Sequence, residues 1–203
     1  MSEAWSPVTI ASVVEGHGEV RAVPKLLYRI AAELGVHLLT PKPPLRIPRS
    51  KLIAPQGIED AVNAKASEVA RAGGILVLTD ADDDCPADLG PQLLQRARAA
   101  RPDKRVAVVL ANREFEAWFL AAAPSLAGQH GFTDPFPTPA DPEARRGCKE
   151  ALTKARAHGF PYKETVDQAA LTAAFDLKMA RENSPSFDKL YRDVTWLLGA
   201  TAD

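Results

Sequence analysis

The chain has 203 residues, of which 46% are hydrophobic and 25% are charged, and its 25 basic and 26 acidic residues leave a net charge of −1. This length and composition predict one globular domain with a sizeable core, with or without a small appendage. The near-neutral charge excludes a globally basic nucleic-acid binder, so any contact with nucleic acid must come from a local patch.

The first 126 residues alternate between strand patterns and helix patterns. In chain order the residues predict a strand at 7–16, a helix at 18–35, a strand from 36 that becomes an extended basic segment, a helix at 57–74, a strand at 75–80, a helix at 86–103, a strand at 104–112 and a helix from about 114. The apolar runs at 75–80 and 104–112 have the composition of strands that are buried on both faces of a parallel sheet. The alternation therefore predicts a doubly wound α/β fold with right-handed crossovers.

The composition changes near Ala127, where a proline-rich loop is followed by shorter helical patterns. Helices are predicted at 145–158, 163–174 and 186–198. Ser184 is the predicted N-cap of the last helix, with Pro185 at its first position. We therefore expect an α/β core over residues 1–126 and a helical C-terminal extension over residues 127–203, packed on the same domain.

Neither a membrane segment nor a disulfide framework is expected. The N-terminus has no basic-then-apolar leader, and no run of eighteen apolar residues occurs. The two cysteines, Cys85 and Cys148, form no CxxC pair, and Cys85 is expected to be a small buried residue. These features predict a cytoplasmic protein without membrane contact.

Acidic residues cluster where three of the predicted strands end. The clusters are Glu15 with Glu19, Asp80 with Asp82, Asp83 and Asp84, and Glu114 with Glu116. Ligands of open parallel sheets bind outside the carboxyl ends of the strands, so these clusters are expected to converge. Gathered carboxylates repel each other unless a cation neutralises them or some of them protonate. Hard oxygen ligands favour Mg²⁺ or Mn²⁺, and two such ions can support phosphodiester chemistry.

Each acidic cluster also has an ordinary structural explanation, and these alternatives stay open. Asp84 or Asp88 can cap the following helix, and the acids after the third of these strands can be first-turn residues favoured by the helix dipole. The glycine turn around His17 can hold an anion at a helix N-terminus. His17 itself is a candidate for substrate binding or proton transfer, or a solvent-facing turn residue.

The arrangement of these motifs resembles a known catalytic domain. A glutamate in an EGxxE setting after the first strand, followed by a strand ending in DxD, resembles the TOPRIM domain of topoisomerases, bacterial primases, small nucleases and the overcoming-lysogenization-defect (OLD) nucleases. A longer series, over about residues 8 to 197, is similar to a TOPRIM-like bacterial protein family of unknown function, whose members are often encoded beside ATPases in apparent defence islands. The series consists of VVEGHGE, LVLTDADDD, NREFEAWFLA, GCKEAL, YKETVDQ and SPSF.

The resemblance implies a role for particular residues. It implies Glu15 as metal ligand or general base, and Asp80 and Asp82 as ligands of one or two Mg²⁺ or Mn²⁺ ions. Further implied ligands are Glu19 and Glu114 or Glu116. Asp84, in the acidic loop, is expected as an outer or second-metal ligand. The implied lysine is Lys149 or Lys163. Contacts to substrate are expected from His17, Arg145 and Lys163, whereas the basic segment at 42–51 is better explained as a protected edge strand than as a phosphate-binding one.

The implied activity is that of a metal-dependent phosphodiester hydrolase, a nuclease acting on nucleic acid. The chain has no GxxxxGK[ST] motif, so an ATPase of the OLD type would have to be a separate partner chain. The alternative is a non-catalytic TOPRIM-like binding module, a subunit of an ATPase complex. A receiver-like phosphoaspartate domain is disfavoured, because Gly16 stands where that fold expects a second acid.

Overall fold

A computed structural model describes residues 7–70, 72–144, 146–157 and 160–200. The strands are β1 (Val8–Val14), β2 (Leu39–Pro41), β3 (Leu45–Arg46), β4 (Gly73–Asp80) and β5 (Val106–Ala111). The helices are α1 (Glu19–Glu33), α2 (Arg49–Leu52), α3 (Gly57–Ala66), α4 (Pro86–Ala100), α5 (Ala117–Ala121), α6 (Cys148–Lys154), α7 (Glu164–Ala174), α8 (Leu177–Asn183) and α9 (Pro185–Leu198), with a 3₁₀ turn at Ala123–Leu126.

The strands form one parallel sheet in the order β2-β1-β4-β5, and β3 pairs with β1 beyond β2. This confirms the predicted α/β class, with the topology of a Rossmann-like fold. After β1 the chain adds β2 and β3 on one side and later adds β4 and β5 on the other. The strand order therefore reverses between β1 and β4, which places the crevice of a doubly wound sheet at their carboxyl ends.

Helices cover both faces of the sheet because side chains alternate along each strand. Leu76 and Leu78 of β4 pack on one side with α1 and α9, whereas Ile75 and Val77 pack on the other side with α3 and α4. All the strand residues from Gly73 to Thr79 are buried, which explains why the sequence reads as a continuous apolar run.

Several predicted boundaries differ from the structure, among them those at the glycine pair 73–74. The helix predicted to run to Gly74 ends at Ala66, and Gly73 begins β4 instead. Gly73 has φ +117°, and a Cβ there would lie 2.0 Å from the backbone oxygen of Thr9 on β1. The glycine pair therefore allows close strand packing rather than a helix stop.

The C-terminal helices belong to the same hydrophobic core as the sheet. α7 packs against α1, and α9 packs across β5 and β4. Ser184 accepts a hydrogen bond of 3.1 Å from the Phe187 N–H, so the predicted N-cap of α9 is confirmed. α8 had no counterpart in the sequence prediction. Of the helices within the described residues, none has the length and apolar composition that a bilayer crossing requires.

Candidate functional site

The carboxyl ends of β1 and β4 bring Glu15 and Asp80 together. Glu15 Oε2 accepts hydrogen bonds from Thr79 Oγ1 at 2.6 Å and from the Asp80 N–H at 3.2 Å. Asp80 Oδ1 accepts a hydrogen bond of 2.8 Å from the Phe115 N–H, in the loop after β5. Three strand ends are thus tied together by two acidic side chains, at the point where the strand order reverses.

Glu19 adds a third carboxylate to this edge from the first turn of α1. Its Oε2 accepts hydrogen bonds from the N–H groups of Glu15 at 2.9 Å and Gly16 at 3.2 Å, and the residue is 3% exposed. Burial raises the pKa of Glu19 to about 7, although these two hydrogen bonds lower it, and repulsion from the nearby Glu15 and Glu116 raises it further.

Glu116 is the fourth carboxylate and is almost completely enclosed, with 1% of its surface exposed. Its Oε1 accepts hydrogen bonds from the Tyr162 hydroxyl at 2.9 Å and Gln168 Nε2 at 3.5 Å. Burial raises the pKa of Glu116 to about 7, against the attraction of Lys149 and the hydrogen bond from Tyr162. Burial, followed by the neighbouring negative charge of Glu116, raises the pKa of Tyr162 far above its ordinary range, so its hydroxyl stays protonated at neutral pH.

The C-terminal extension also supplies a cation and a second bridging acid. Lys149 Nζ donates a hydrogen bond of 2.9 Å to Glu164 Oε2, and Glu164 Oε1 accepts a bond of 3.2 Å from the Gly18 N–H. Burial opposes the charge of Lys149, but attraction to Glu116, the hydrogen bond to Glu164 and attraction to Asp80 outweigh it and raise its pKa. Burial likewise opposes the charge of Glu164, but the hydrogen bond from Lys149 lowers its pKa overall.

The glycines of the EGHGE segment are required by this close approach of α7. A Cβ at Gly18 would lie 2.2 Å from Gln168 Oε1 and 2.7 Å from the backbone oxygen of Glu164. A Cβ at Gly16 would lie 2.8 Å from Glu164 Oε1. Gly18 has φ −66°, which any residue can adopt, so the absence of a side chain matters there and not an unusual backbone conformation.

The cluster holds more negative charge than the surrounding side chains offset. Burial raises the pKa of Asp80 well above its usual range, and Glu19, Glu116 and Glu15 raise it further by repulsion. This happens although Asp80 keeps partial contact with solvent. The cluster therefore favours whatever supplies positive charge, either protons or a cation.

The donor atoms of the cluster suit a hard divalent cation. Glu15, Glu19, Asp80 and Glu116 each use one oxygen for the hydrogen bonds above, and their second oxygens accept none from the described residues. The Oε1 atom of Gln168 is buried beside them without a hydrogen-bond partner. Among the described residues no three His, Cys, Asp or Glu side chains are already arranged to hold a metal ion. The residues thus provide suitable oxygen ligands but not a closed coordination shell.

The remaining aspartates of the acidic loop pair with arginines. Arg49 donates to the carbonyl of Asp80 at 3.0 Å, forms an ion pair with Asp84, and lies 3.6 Å from Asp82 Oδ2. Asp83 is held by Arg113 at 3.0 Å and by Arg146 at 2.5 Å. Asp82 has φ +51° and 59% of its side chain exposed, and its carboxylate lies at the surface beside Arg49.

The other predicted site residues lie around the cluster or apart from it. Glu114 accepts a hydrogen bond of 3.1 Å from the Gly147 N–H and lines a recess with Arg113 and Asp83. His17 is exposed and lowers the pKa of Glu164 by attraction. Lys163 is exposed, and its N–H donates to Asp167 at the start of α7. Arg145 lies outside the described residues.

Three residues of the cluster were missed in the sequence, namely Tyr162, Glu164 and Gln168. They belong to the motif YKETVDQ, from which only Lys163 was considered. Glu164 and Gln168 stand four residues apart and share a helix face, which is the available signal. Cys85, expected to be buried, is exposed at the N-cap of α4. Arg49 was predicted only as part of a protected edge segment, and its role in holding the acidic loop depends on a contact 31 residues away.

Comparison with known proteins gives one match. The family described as "Domain of unknown function (DUF4276)" matches residues 14–195. No curated protein and no solved structure matches the chain.

Proposed function

The chain belongs to the family described as a domain of unknown function, DUF4276, and from that premise we propose a function on the geometry of its site. The site binds Mg²⁺ or Mn²⁺ and hydrolyses phosphodiester bonds of nucleic acid, as a nuclease of TOPRIM type. The resemblance of the EGxxE and DxD motifs to the TOPRIM domain supports the same proposal.

One observation carries the proposal. Four carboxylates from three separate segments converge at the reversal point of a parallel sheet, and two of them are less than 4% exposed. Such a convergence is unfavourable for stability unless a cation offsets the charge, because buried carboxylates that repel each other are driven to take up protons. Structural acids in a protein interior are usually each paired with a base. Here the contacts of the described residues place one basic side chain, Lys149, beside the four carboxylates.

Some residues of the cluster would hold the cation, and others position these ligands. Glu15, Asp80, Glu19 and Glu116 would hold one or two ions through their second oxygens, with the Oε1 atom of Gln168 beside them. When bound, the ion supplies an activated water and neutralises charge on the phosphate. Thr79 and Tyr162 hold Glu15 and Glu116 in place through hydrogen bonds of 2.6 and 2.9 Å.

Lys149 is the group suited to meet the phosphate. Its high pKa keeps it charged at neutral pH, and Glu164 orients its ammonium group towards the acidic edge. Asp82 and Asp84 do not enter the buried cluster, so their participation would require release from Arg49. We therefore place Asp82 and Asp84 outside the set that holds the first ion.

The experiment compares Asp80→Asn with Asp83→Asn. Asp80→Asn keeps an acceptor for the Phe115 N–H but removes a charge from the cluster, so calorimetric Mn²⁺ binding and Mn²⁺-dependent cleavage of labelled DNA or RNA should both be lost. Asp83 lies in the same loop, is 65% exposed and pairs with arginines, so Asp83→Asn should retain both. Undiminished cleavage by Asp80→Asn rejects the assignment.

The same measurements separate the enzyme from a binding module. Mn²⁺ binding that depends on Asp80, with no cleavage of DNA or RNA, supports a non-catalytic subunit. Cleavage that appears only when a co-encoded ATPase is added supports an enzyme that works with a partner chain.

A further inference from the structure

A second surface of interest lies at the opposite end of the sheet from the acidic cluster. It is a recess of ≈ 450 Å³ between the end of α4, the start of β5 and the last turn of α9. We call it the Trp196 patch and define it by Arg98, Arg101, Lys104, Arg105 and Trp196. β5 has six residues, so at about 3.3 Å per residue the patch and the acidic edge are separated by roughly 20 Å.

Trp196 is exposed where most aromatic side chains of this protein are buried, with 43% of its surface accessible. Two guanidinium groups lie over its ring, that of Arg98 at 5.4 Å and that of Arg105 at 5.8 Å from the ring centroid. Cation–π attraction of this kind holds arginine side chains in defined positions at a surface. The ring therefore orients two cations beside each other.

The cations of the patch keep donors available. Arg98 uses Nε to bind the Val106 carbonyl at 3.2 Å, and Arg105 uses Nη1 to bind the Trp196 carbonyl at 3.3 Å. Their other guanidinium nitrogens donate to no described residue. Arg98, Lys104 and Arg105 also form no ion pair within the described part of the chain, whereas Arg101 pairs with Asp103 at 2.6 Å.

The patch is strongly positive although the whole chain carries a net charge of −1. Four cationic side chains line the recess and Asp103 is the acid among its lining residues, which leaves an excess of three positive charges (four minus one). Unpaired cations on a surface repel each other, and an anionic partner relieves that repulsion.

We propose that the Trp196 patch binds the phosphate backbone of a nucleic acid. Two guanidinium groups held side by side suit the oxygens of successive phosphates, because each can donate two parallel hydrogen bonds. An exposed aromatic ring among cations is a common feature of surfaces that bind single strands. The choice of nucleic acid over another polyanion rests on the proposed phosphodiesterase function, and the patch extends the contact surface beyond the acidic site.

The test measures binding of a fluorescein-labelled oligodeoxythymidylate of about 16 nucleotides in EDTA, so that no cleavage occurs. Arg105→Gln and the double variant Arg98→Gln/Arg105→Gln remove one and two phosphate contacts. Each contact should contribute about 0.7 to the slope of log affinity against log salt, so the double variant should reduce the slope by about 1.4. At about 50 mM salt each lost contact should weaken binding roughly tenfold. A labelled duplex of the same length shows which form of nucleic acid the patch prefers.

Lys178→Gln is the matched control for Arg105→Gln, because Lys178 is 86% exposed on α8 and its removal costs the same charge. It should leave affinity and slope unchanged. Urea unfolding checks that the variants fold. If the double variant does not fold, quenching of Trp196 emission by the strand, in a Trp5→Phe background, gives a second measurement, since Trp118 is buried.

Unchanged affinity and slope in Arg105→Gln and the double variant overturn the proposal. Displacement of the labelled strand by polyglutamate, at a lower concentration of negative charge than the unlabelled strand requires, also overturns the proposal and indicates an acidic protein partner. Failure here is distinguishable from failure of the proposed function. Asp80→Asn should keep its affinity in EDTA, and a patch variant should keep its cleavage rate at saturating nucleic acid.

Discussion

Among single residues, Glu19 and Glu116 show how the acidic edge lowers the stability of the fold. Both carboxyl groups lie inside the protein, and the hydrogen bonds they accept do not restore their ordinary acidity. Such groups lower the stability of the fold when they are charged and have no counter-charge. Buried carboxyl groups with raised pKa values at the carboxyl end of a sheet are typical of a functional site.

The stability of the metal-free chain should depend on pH through these two groups and, in the same direction, through Asp80, whose pKa is also raised by burial. The pKa values of Glu19 and Glu116 are about 7 in the folded chain against an ordinary value of 4.5, so between these values the folded chain binds more protons than the unfolded chain. Stability is therefore expected to fall as the pH rises from about 4.5 to about 7 and to stay lower above that. Urea unfolding in EDTA at several pH values measures this.

Glu116→Gln isolates one contribution to that dependence. Gln keeps an acceptor for the Tyr162 hydroxyl but cannot ionise, so the variant avoids the charge that Glu116 gains as the pH rises. The variant should therefore become more stable relative to the parent chain as the pH rises from 5 to 8. Mn²⁺ added at pH 8 should stabilise the parent chain more than the variant. A difference between the two proteins that is the same at both pH values contradicts the prediction.

Gly18 should tolerate no side chain, because α7 lies against it. Gly18→Ala would place a methyl group 2.7 Å from the backbone oxygen of Glu164, which cannot move without shifting the helix. We expect a loss of about 1–3 kcal/mol in the free energy of unfolding. Gly90→Ala on α4 is the control, since its Cβ would meet Leu110 Cδ1 at 3.8 Å and should stabilise the chain by up to about 1 kcal/mol. Equal effects of the two substitutions would reject the packing argument.

At the scale of elements, α7 connects the C-terminal extension to the acidic edge. Its first turn carries Glu164, which binds the Gly18 N–H and Lys149 together, and Gln168 lies one turn further along. The extension therefore completes the cluster as well as covering the core. Helix α7 also packs against α1, whose first residue is Glu19.

Helix α9 depends on a cap that is shared with a buried acid. Ser184 accepts from the Phe187 N–H and donates to Glu143, which is 5% exposed. Ser184→Ala removes the cap, at about 1 kcal/mol, and removes a donor from a buried carboxylate, at about 1 kcal/mol or more. The loss should exceed that of Asp176→Ala, whose cap of α8 accepts from the Met179 N–H at a solvent-exposed position. Chemical unfolding of both variants tests the order, and a smaller loss for Ser184→Ala contradicts it.

At the scale of the whole molecule, one hydrophobic cluster joins the two predicted parts. It includes Leu27, Ile30 and Leu76 from the first 126 residues and Leu171 and Leu190 from the rest. A second cluster fills the other face of the sheet, between the strands and α3 and α4. Neither face of the sheet is covered by residues of a separate unit.

Truncation after Leu126 should therefore prevent folding of the remainder. The truncated chain would expose the face of β5, β4 and α1 that α7 and α9 cover, and such an apolar face is unstable in water. The full chain should unfold in one cooperative transition, monitored by circular dichroism and tryptophan fluorescence. A truncated chain that melts cooperatively would show instead that residues 1–126 form an independent unit.

The sequence alone determined the class of the fold and the edge of the sheet that carries the candidate site. Apolar runs that end in Glu15 and Asp80 predict buried parallel strands, and the geometry of such sheets places their carboxyl ends together. Glu19 was predicted from the same edge, and Glu116 as one of two alternatives with Glu114. Lys149 was implied only by the resemblance, as one of two alternatives with Lys163. Local pattern is sufficient for the acids because each follows directly from the strand or helix that carries it, whereas Lys149 reaches the edge from the C-terminal extension.

Only the tertiary structure decided which acids stay together. Asp82 and Asp84 share a loop with Asp80, but both are exposed and lie beside Arg49, which stands 35 residues before Asp84 in the chain. Glu164 and Gln168 of α7, and Tyr162 just before it, reach the cluster because α7 packs against the loop between β1 and α1. There Glu164 contacts Gly18, which lies 146 residues earlier in the chain. Contacts at such separation depend on how helices pack on the sheet, and neither periodicity nor spacing along the chain contains that information.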